Sequence, residues 1–250
     1  RDNLGRQQVR SESDEAWYAA WGRLGAAVAA GVARGLTWSD PGQPSGPALA
    51  AAVLGALPDG ARLFLGSSNA ARDVDMARTR DRLEVVANRG LAGIDGCVST
   101  AAGMALADGV PSYALVGDLT FLHDANALLV GPAEPRPNLT IVVANDDGGG
   151  IFGTLEYGEP GREAHFERIF GTPTATDLAA LAAAHGVPHL RVTTRDQLAQ
   201  ALREPPAGLR VVEVPIARGT HRATYAALRQ AAAAAARLPE EGLPEAVRGA

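Results

Sequence analysis

Short apolar runs recur along the chain at residues 61–65, 83–87, 113–116, 139–144, 190–192 and 209–214. Their length, and the Gly, Asn, Asp and Pro residues that bound them, predict buried strands. Stretches with helical spacing lie between them. Residues 120–130 place Phe121, Leu122, Leu128 and Leu129 on one face and close at Gly131-Pro132. Further helices are predicted over 175–185, 195–202 and the alanine-rich 221–237. Strands that alternate with helices in this way build an α/β domain: a doubly wound, mostly parallel sheet of about six strands with helices on both faces.

The first part of the chain follows another pattern. Residues 1–15 are polar and unpatterned, whereas 15–32, with Trp17, Tyr18, Trp21, Leu24 and Val28, read as an amphipathic helix whose apolar face needs a partner. Residues 37–46, Thr-Trp-Ser-Asp-Pro-Gly-Gln-Pro-Ser-Gly, have the composition of a linker. The expected organisation is a tail, helix and linker over 1–46, the sheet domain over 47–238 and a polar tail over 239–250. Because the chain does not begin with Met, its start reads as cut from something longer.

Composition narrows the function classes. With 23 basic and 28 acidic residues the formal charge is −5, and no basic patch argues for a nucleic-acid partner. Hydrophobic residues make up 46%, enough for a packed core, yet no apolar run is long enough for a membrane span. No secretory signal opens the chain. The single Cys97 excludes an intrachain disulfide and, in an apolar helix start, reads as a small buried residue rather than a nucleophile. These features together predict a cytoplasmic protein. The five histidines form no metal-binding pattern, and neither a G-x-S-x-G elbow nor a P-loop is present.

The candidate chemistry sits at two strand ends. Gly117-Asp118-Leu119-Thr120 follows the third predicted strand, and Asn145-Asp146-Asp147-Gly148-Gly149-Gly150-Ile151-Phe152 follows the fourth, with one helical crossover between them. Neighbouring parallel strands bring Asp118 and Asp146 to the same carboxyl edge, where open α/β sheets bind ligands. Magnesium takes oxygen donors of this kind, commonly one or two carboxylates completed by water and phosphate oxygens. The glycine run allows positive φ and a close approach of the main chain to a bulky anion, and the helix start after Asp118 adds inward-facing N–H groups. A diphosphate suits that arrangement. Taken singly, Asp and Gly at a strand end are ordinary turn chemistry.

Other residues are ambiguous by spacing alone. Ser68 or Asn69 is a plausible helix cap. Arg72 lies one turn into the following helix, within a mixed-charge run that by itself reads as a solvated face. Arg89 falls at the carboxyl end of the second strand, and Ile94 and Phe152 read equally as core. The charged stretch 156–170 is a candidate mobile loop over the site.

The Gly117-Asp118 pair followed by Asn145-Asp146-Asp147-Gly148 resembles the signature of thiamine diphosphate enzymes. That resemblance implies that Asp118, Asp146 and the Gly148 carbonyl hold magnesium, or manganese in its place, against the diphosphate. Asp146 stands where Asn is commoner, which adds a negative charge. Four ordered blocks carry the resemblance further: 65–73, 88–96, 99–103 and 149–152 are similar to those of the 2-succinyl-5-enolpyruvyl-6-hydroxy-3-cyclohexene-1-carboxylate (SEPHCHC) synthase family of menaquinone biosynthesis. The similarity covers 47–238, the family's carboxyl-terminal diphosphate-binding domain.

It implies that Gly117, Asp118, Leu119, Thr120, Ile94, Asp146, Gly148 and Gly149 bind the cofactor, with Ile94 supporting its ring. Ser68, Arg72 and Arg89 would grip substrate, while Ile151, Phe152 and Leu155 line the pocket. The implied reaction is decarboxylation of 2-oxoglutarate and addition of the remaining unit to isochorismate. Guanidinium groups suit both substrates, which are dicarboxylates. The resemblance also implies a homodimer or homotetramer, whose active site needs the missing amino-terminal domain with its activating glutamate, and the missing central domain. Two alternatives stay open. One is another thiamine diphosphate decarboxylase or synthase, though acetohydroxyacid synthase relatives usually have Gly-Asp-Gly where this chain has Gly-Asp-Leu. The other is a non-catalytic binding or assembly module.

Overall fold

The structure is a computed structural model that describes residues 12–39, 42–77, 83–88 and 93–237. The described residues build a six-stranded sheet from β1 (Arg62–Leu65), β2 (Glu84–Ala87), β3 (Ser112–Gly117), β4 (Leu139–Asn145), β5 (His189–Arg191) and β6 (Leu209–Pro215). The order is β2-β1-β3-β4-β6-β5, and every pairing is parallel. All six predicted strands are present within about two residues of their expected ends.

Successive side chains in a strand point to opposite faces, and this alternation sorts the core into two layers. Leu63, Leu65, Tyr113, Leu115, Val142, Val212 and Val214 pack beneath α2 (Gly46–Ala56), α3 (Asn69–Met76) and α7 (Arg195–Arg203). Phe64, Ala114, Val116, Ile141, Val143 and Val211 pack beneath α4 (Cys97–Asp108), α5 (Asp118–His123) and α6 (Leu178–Ala184). Helices on both faces make the sheet doubly wound, as expected.

Two helices differ from the sequence reading. The helix expected over 120–130 begins earlier, at Asp118, and stops at His123, followed by a 3-10 turn at Ala125–Leu128. Asp124 breaks it: its carboxylate accepts from Ser99 N at 2.6 Å and Ser99 Oγ at 2.9 Å, and its backbone leaves the helical region at φ −120°. A side chain drawn away in this manner competes with helix continuation. The helix α2 shows no periodicity because it is buried on most sides. Its start is nonetheless encoded, since Ser45 Oγ accepts from Ala48 N and Pro47 sits in the first turn.

Residues 36–225 form one compact unit that contains the sheet. Among the described residues, a second unit joins 12–35 to 226–237. Its described parts are α1 (Glu12–Ala33), longer than the predicted 15–32, and the later turns of α8 (His221–Ala235). Gly31 permits their close approach, because a Cβ there would stand 2.8 Å from Ala235 Cβ. Trp17, Tyr18 and Trp21 on α1 are each more than half exposed.

The register aligns Val116 with Val143 and Gly117 with Ala144, so β3 and β4 end level. Strand order reverses between β1 and β3, which opens a crevice at their carboxyl ends, the usual ligand position in such sheets. Truncating Leu115, only 2% exposed in the central strand β3, is expected to cost about 2 to 5 kcal/mol as Leu115→Ala. Val85→Ala on the exposed edge strand β2 is expected to cost under about 0.5 kcal/mol. Urea unfolding of the two variants checks the contrast.

Candidate active site

A cavity of about 340 Å³ lies at the carboxyl ends of the central strands. Ser68, Arg72, Ile94, Gly117, Asp118, Leu119, Thr120, Asp146, Gly148, Gly149, Ile151, Phe152 and Leu155 all line it. The fold therefore gathers these residues, drawn from separate stretches of sequence, at one place. Arg89 lies outside the described residues.

Asp118 is the first residue of α5 and is 3% exposed. Its Oδ2 accepts from Gly148 N at 2.8 Å, which ties the β3 end to the β4 end. Burial pushes the Asp118 carboxyl up to about 7, and Asp146 adds to the shift by charge repulsion and by lying close enough to share a proton. Asp146 follows β4 and meets His221 Nε2 at 2.9 Å through its Oδ2. Two carboxyl groups, with Asp118 held by Gly148 N and Asp146 in contact with His221, thus face each other at the cavity wall.

The loop that carries Asp146 is fixed on every side. Asn145 Oδ1 accepts from Asp147 N at 3.0 Å, and Asn145 Nδ2 donates to Glu213 Oε1 at 2.9 Å. Glu213 is itself buried on β6, where its carboxylate also meets His189 Nε2 at 2.9 Å and Arg191 Nη1 at 3.3 Å. Asp147 takes φ 51°, and its Oδ1 accepts from Thr174 N and Ala175 N. Gly148 has φ 144°, and a Cβ there would overlap the Gly171 carbonyl oxygen and the Arg218 guanidinium. Only glycine fits that position.

The turn after β1 departs from the sequence reading. Neither Ser68 nor Asn69 caps α3 with its side chain. Ser68 instead takes φ 67°, a backbone region that favours glycine, and its carbonyl accepts from Arg72 Nη1 at 2.8 Å. Asn69 Oδ1, also on the cavity wall, is buried without a partner among the described residues. The 156–170 stretch is a series of short turns packed around aromatic rings: Tyr157 stacks on Phe170 at 4.2 Å, and Phe152 and Phe166 lie within about 6 Å of the same ring. Cys97 is fully buried, and burial pushes its thiol up, as suits an inert core residue.

Sequence reasoning missed the residues at the start of α8. Arg218 donates from Nη1 to the Asp147 carbonyl at 2.7 Å and from Nη2 to Glu167 Oε2 at 2.6 Å. Arg222 donates to the Gly153 and Leu155 carbonyls. Tyr225 donates its hydroxyl to Asp73 Oδ1 at 2.6 Å, and burial pushes the 4% exposed Asp73 up to about 6. No local pattern signals these roles, because the contacts reach across 51 to 152 positions of sequence. Among the described residues, no group of three or more His, Cys, Asp and Glu side chains is placed to hold a metal unaided. No helix among them is long and apolar enough to cross a membrane.

Residues 66–214 match the family model described as thiamine pyrophosphate enzyme, C-terminal TPP binding domain. The chain belongs to this family. Thiamine pyrophosphate, synonymous with thiamine diphosphate, is the ligand after which the domain is named. Curated relatives named SEPHCHC synthase include those of Saccharopolyspora erythraea, 57% identical over 193 residues, and Rhodococcus erythropolis, 55% identical over 184. These alignments cover 75% and 72% of this chain and 34% of each relative. The relative from Kineococcus radiotolerans is 50% identical, with 82% of this chain and 37% of its own length covered. This chain thus spans about a third of the length of the curated relatives it matches. Among solved structures, benzoylformate decarboxylase from Polynucleobacter necessarius shares the fold with a TM-score of 0.58 at 20% identity, over 73% of this chain and 35% of that one.

The raised Asp118 gives a prediction for the metal-free TPP-binding domain. Because its folded pKa of about 7 lies above the unfolded value, the protonated form is favoured in the fold, and stability falls as pH rises from about 4 to about 7. The cost is complete above that range. Asp118→Asn removes it, so the variant is expected to be more stable than the unaltered chain near pH 8, with little advantage near pH 4. Thermal melts in a chelating buffer across this range measure the difference.

Proposed function

We propose that this chain is the diphosphate- and metal-binding part of a SEPHCHC synthase, a transferase that decarboxylates 2-oxoglutarate and joins the remaining unit to isochorismate. The observation that carries the reading is the pair of facing carboxyl groups, Asp118 and Asp146, with side chains little exposed, beside the glycine turn on the cavity wall. Support for the particular reaction comes from the names of the relatives at 50% to 57% identity.

The donor set fits magnesium, with manganese as a substitute. Asp118 and Asp146 supply hard oxygen donors, and a cation between them would relieve the repulsion that helps to raise Asp118. The Gly148 carbonyl is the third protein donor. Gly117, Leu119, Thr120 and Gly149 form the surrounding wall, and Ile94 would give an apolar support for the cofactor ring. Bound there, thiamine diphosphate supplies the electron sink that lets a 2-oxo acid lose carbon dioxide and its remainder add to an acceptor.

This chain's own residues bind and orient. Arg72, anchored at the turn it helps to shape, presents a guanidinium at the cavity wall for a substrate carboxylate. Arg89 is assigned the same task and Ser68 a polar contact, while Ile151, Phe152 and Leu155 give an apolar wall that excludes water. The relatives' additional length corresponds to amino-terminal and central domains, one of which would contribute the activating glutamate. A homodimer or homotetramer in the cytoplasm, with sites shared between subunits, completes the reading.

Calorimetric titration of thiamine diphosphate into the chain tests the site. Binding is expected to require magnesium and to be lost in Asp118→Ala and Asp146→Ala. Magnesium-independent binding, or binding unchanged in both variants, contradicts the assignment. Product analysis of the complete enzyme with 2-oxoglutarate and isochorismate tests the reaction, and failure to consume isochorismate sinks it.

A further inference from the structure

We propose that His221 is the positioning residue of the metal site: it holds Oδ2 of Asp146 from the side away from the ligand cavity and so fixes the carboxylate that receives the cation. The inference rests on the reading of Asp118, Asp146 and Gly148 as the metal donors, and concerns a residue outside that set.

His221 Nε2 lies 2.9 Å from Asp146 Oδ2, with the two side chains 2% and 8% exposed. A carboxylate that ligates a cation only accepts hydrogen bonds, so in the metal-binding role assigned to Asp146 the ring nitrogen that meets it is the donor. The direction of approach is informative. Asp146 borders both the ligand cavity and a second cavity behind it, whereas His221 borders only the second. The imidazole therefore grips the carboxylate without occupying space on the ligand side.

Gly150 is shaped around this contact. A Cβ at that position would overlap Asp146 Oδ2 and stand 2.7 Å from His221 Nε2. The third glycine of the run thus has a specific function: it leaves room for the Asp146–His221 contact.

The imidazole is also held in place. His221 opens α8 directly after the 3-10 turn Arg218–Thr220, and Arg218 pins that turn to the Asp147 carbonyl. One turn later Tyr225 is bonded to the buried Asp73, and its ring lies near the His221 ring, with centroids 6.4 Å apart and planes 24° apart. A rigid donor of this kind orients a ligating carboxylate as second-sphere hydrogen bonds do in metal sites generally. It also answers the chemistry of position 146. Asparagine carries its own N–H2 group, but aspartate carries a second acceptor oxygen that needs a donor when buried. Asp118 takes its donor from Gly148 N, and Asp146 takes its donor from His221.

Manganese binding to this chain in the presence of thiamine diphosphate, followed by electron paramagnetic resonance, tests the assignment. His221→Phe keeps a ring of similar size but no donor, and is expected to weaken manganese binding by about tenfold or more. His221→Gln restores an N–H near the same point and is expected to recover most of the loss. In an Asp146→Asn background, His221→Phe is expected to change affinity by less than about threefold, because the amide needs no donor. Circular dichroism of each variant confirms the fold. Unchanged affinity in His221→Phe, no recovery with Gln, or an equal loss in both backgrounds overturns the positioning role while leaving the metal site intact. An unaltered chain that binds no manganese overturns the metal site and this inference with it.

Discussion

Asp118 and Asp146 end two neighbouring parallel strands, and the sheet brings their carboxyl groups together at the wall of one cavity. Burying two like charges side by side is unfavourable unless a cation, a proton or fixed donors offset them. Burial first, and the neighbouring Asp146 after it, raise the Asp118 carboxyl. Much of the surrounding architecture is best understood as the means of holding this pair in place.

The parallel register levels the ends of β3 and β4, so the two residues meet by topology rather than by a long loop. Gly148 N and His221 each hold one carboxylate. Behind them the buried Glu213 fixes Asn145, and through Asn145 the turn at Asp147. The start of α8 works from the other side, where Arg218 and Arg222 clasp main-chain carbonyls of the 147–155 stretch and Tyr225 secures Asp73 on the cavity wall. Three strands and three helices therefore converge on one small volume, and loss of a single contact should be felt at the others.

The strands and their chemistry were legible because apolar runs that end in Gly-Asp or Asn-Asp state both their burial and their edge. Spacing alone did not separate Arg72 from a solvated helix face or Phe152 from core; the resemblance to thiamine diphosphate enzymes singled them out, and both line the cavity. What escaped was of two kinds. α2 is apolar all round and so carries no period, while the break at Asp124 depends on Ser99, a residue 25 positions away. His221, Tyr225 and Asp73 owe their roles to tertiary contacts across 75 and 152 positions, which no local pattern reports.

The central claim is that Asp118, Asp146 and the Gly148 carbonyl share a divalent cation. Anomalous diffraction at the manganese edge from crystals grown with manganese and thiamine diphosphate addresses it most directly. The account predicts a single strong peak between the two carboxylates, within coordination distance of the Gly148 carbonyl and of the diphosphate. A bound diphosphate with no peak there, or with the metal held by other residues, would contradict it.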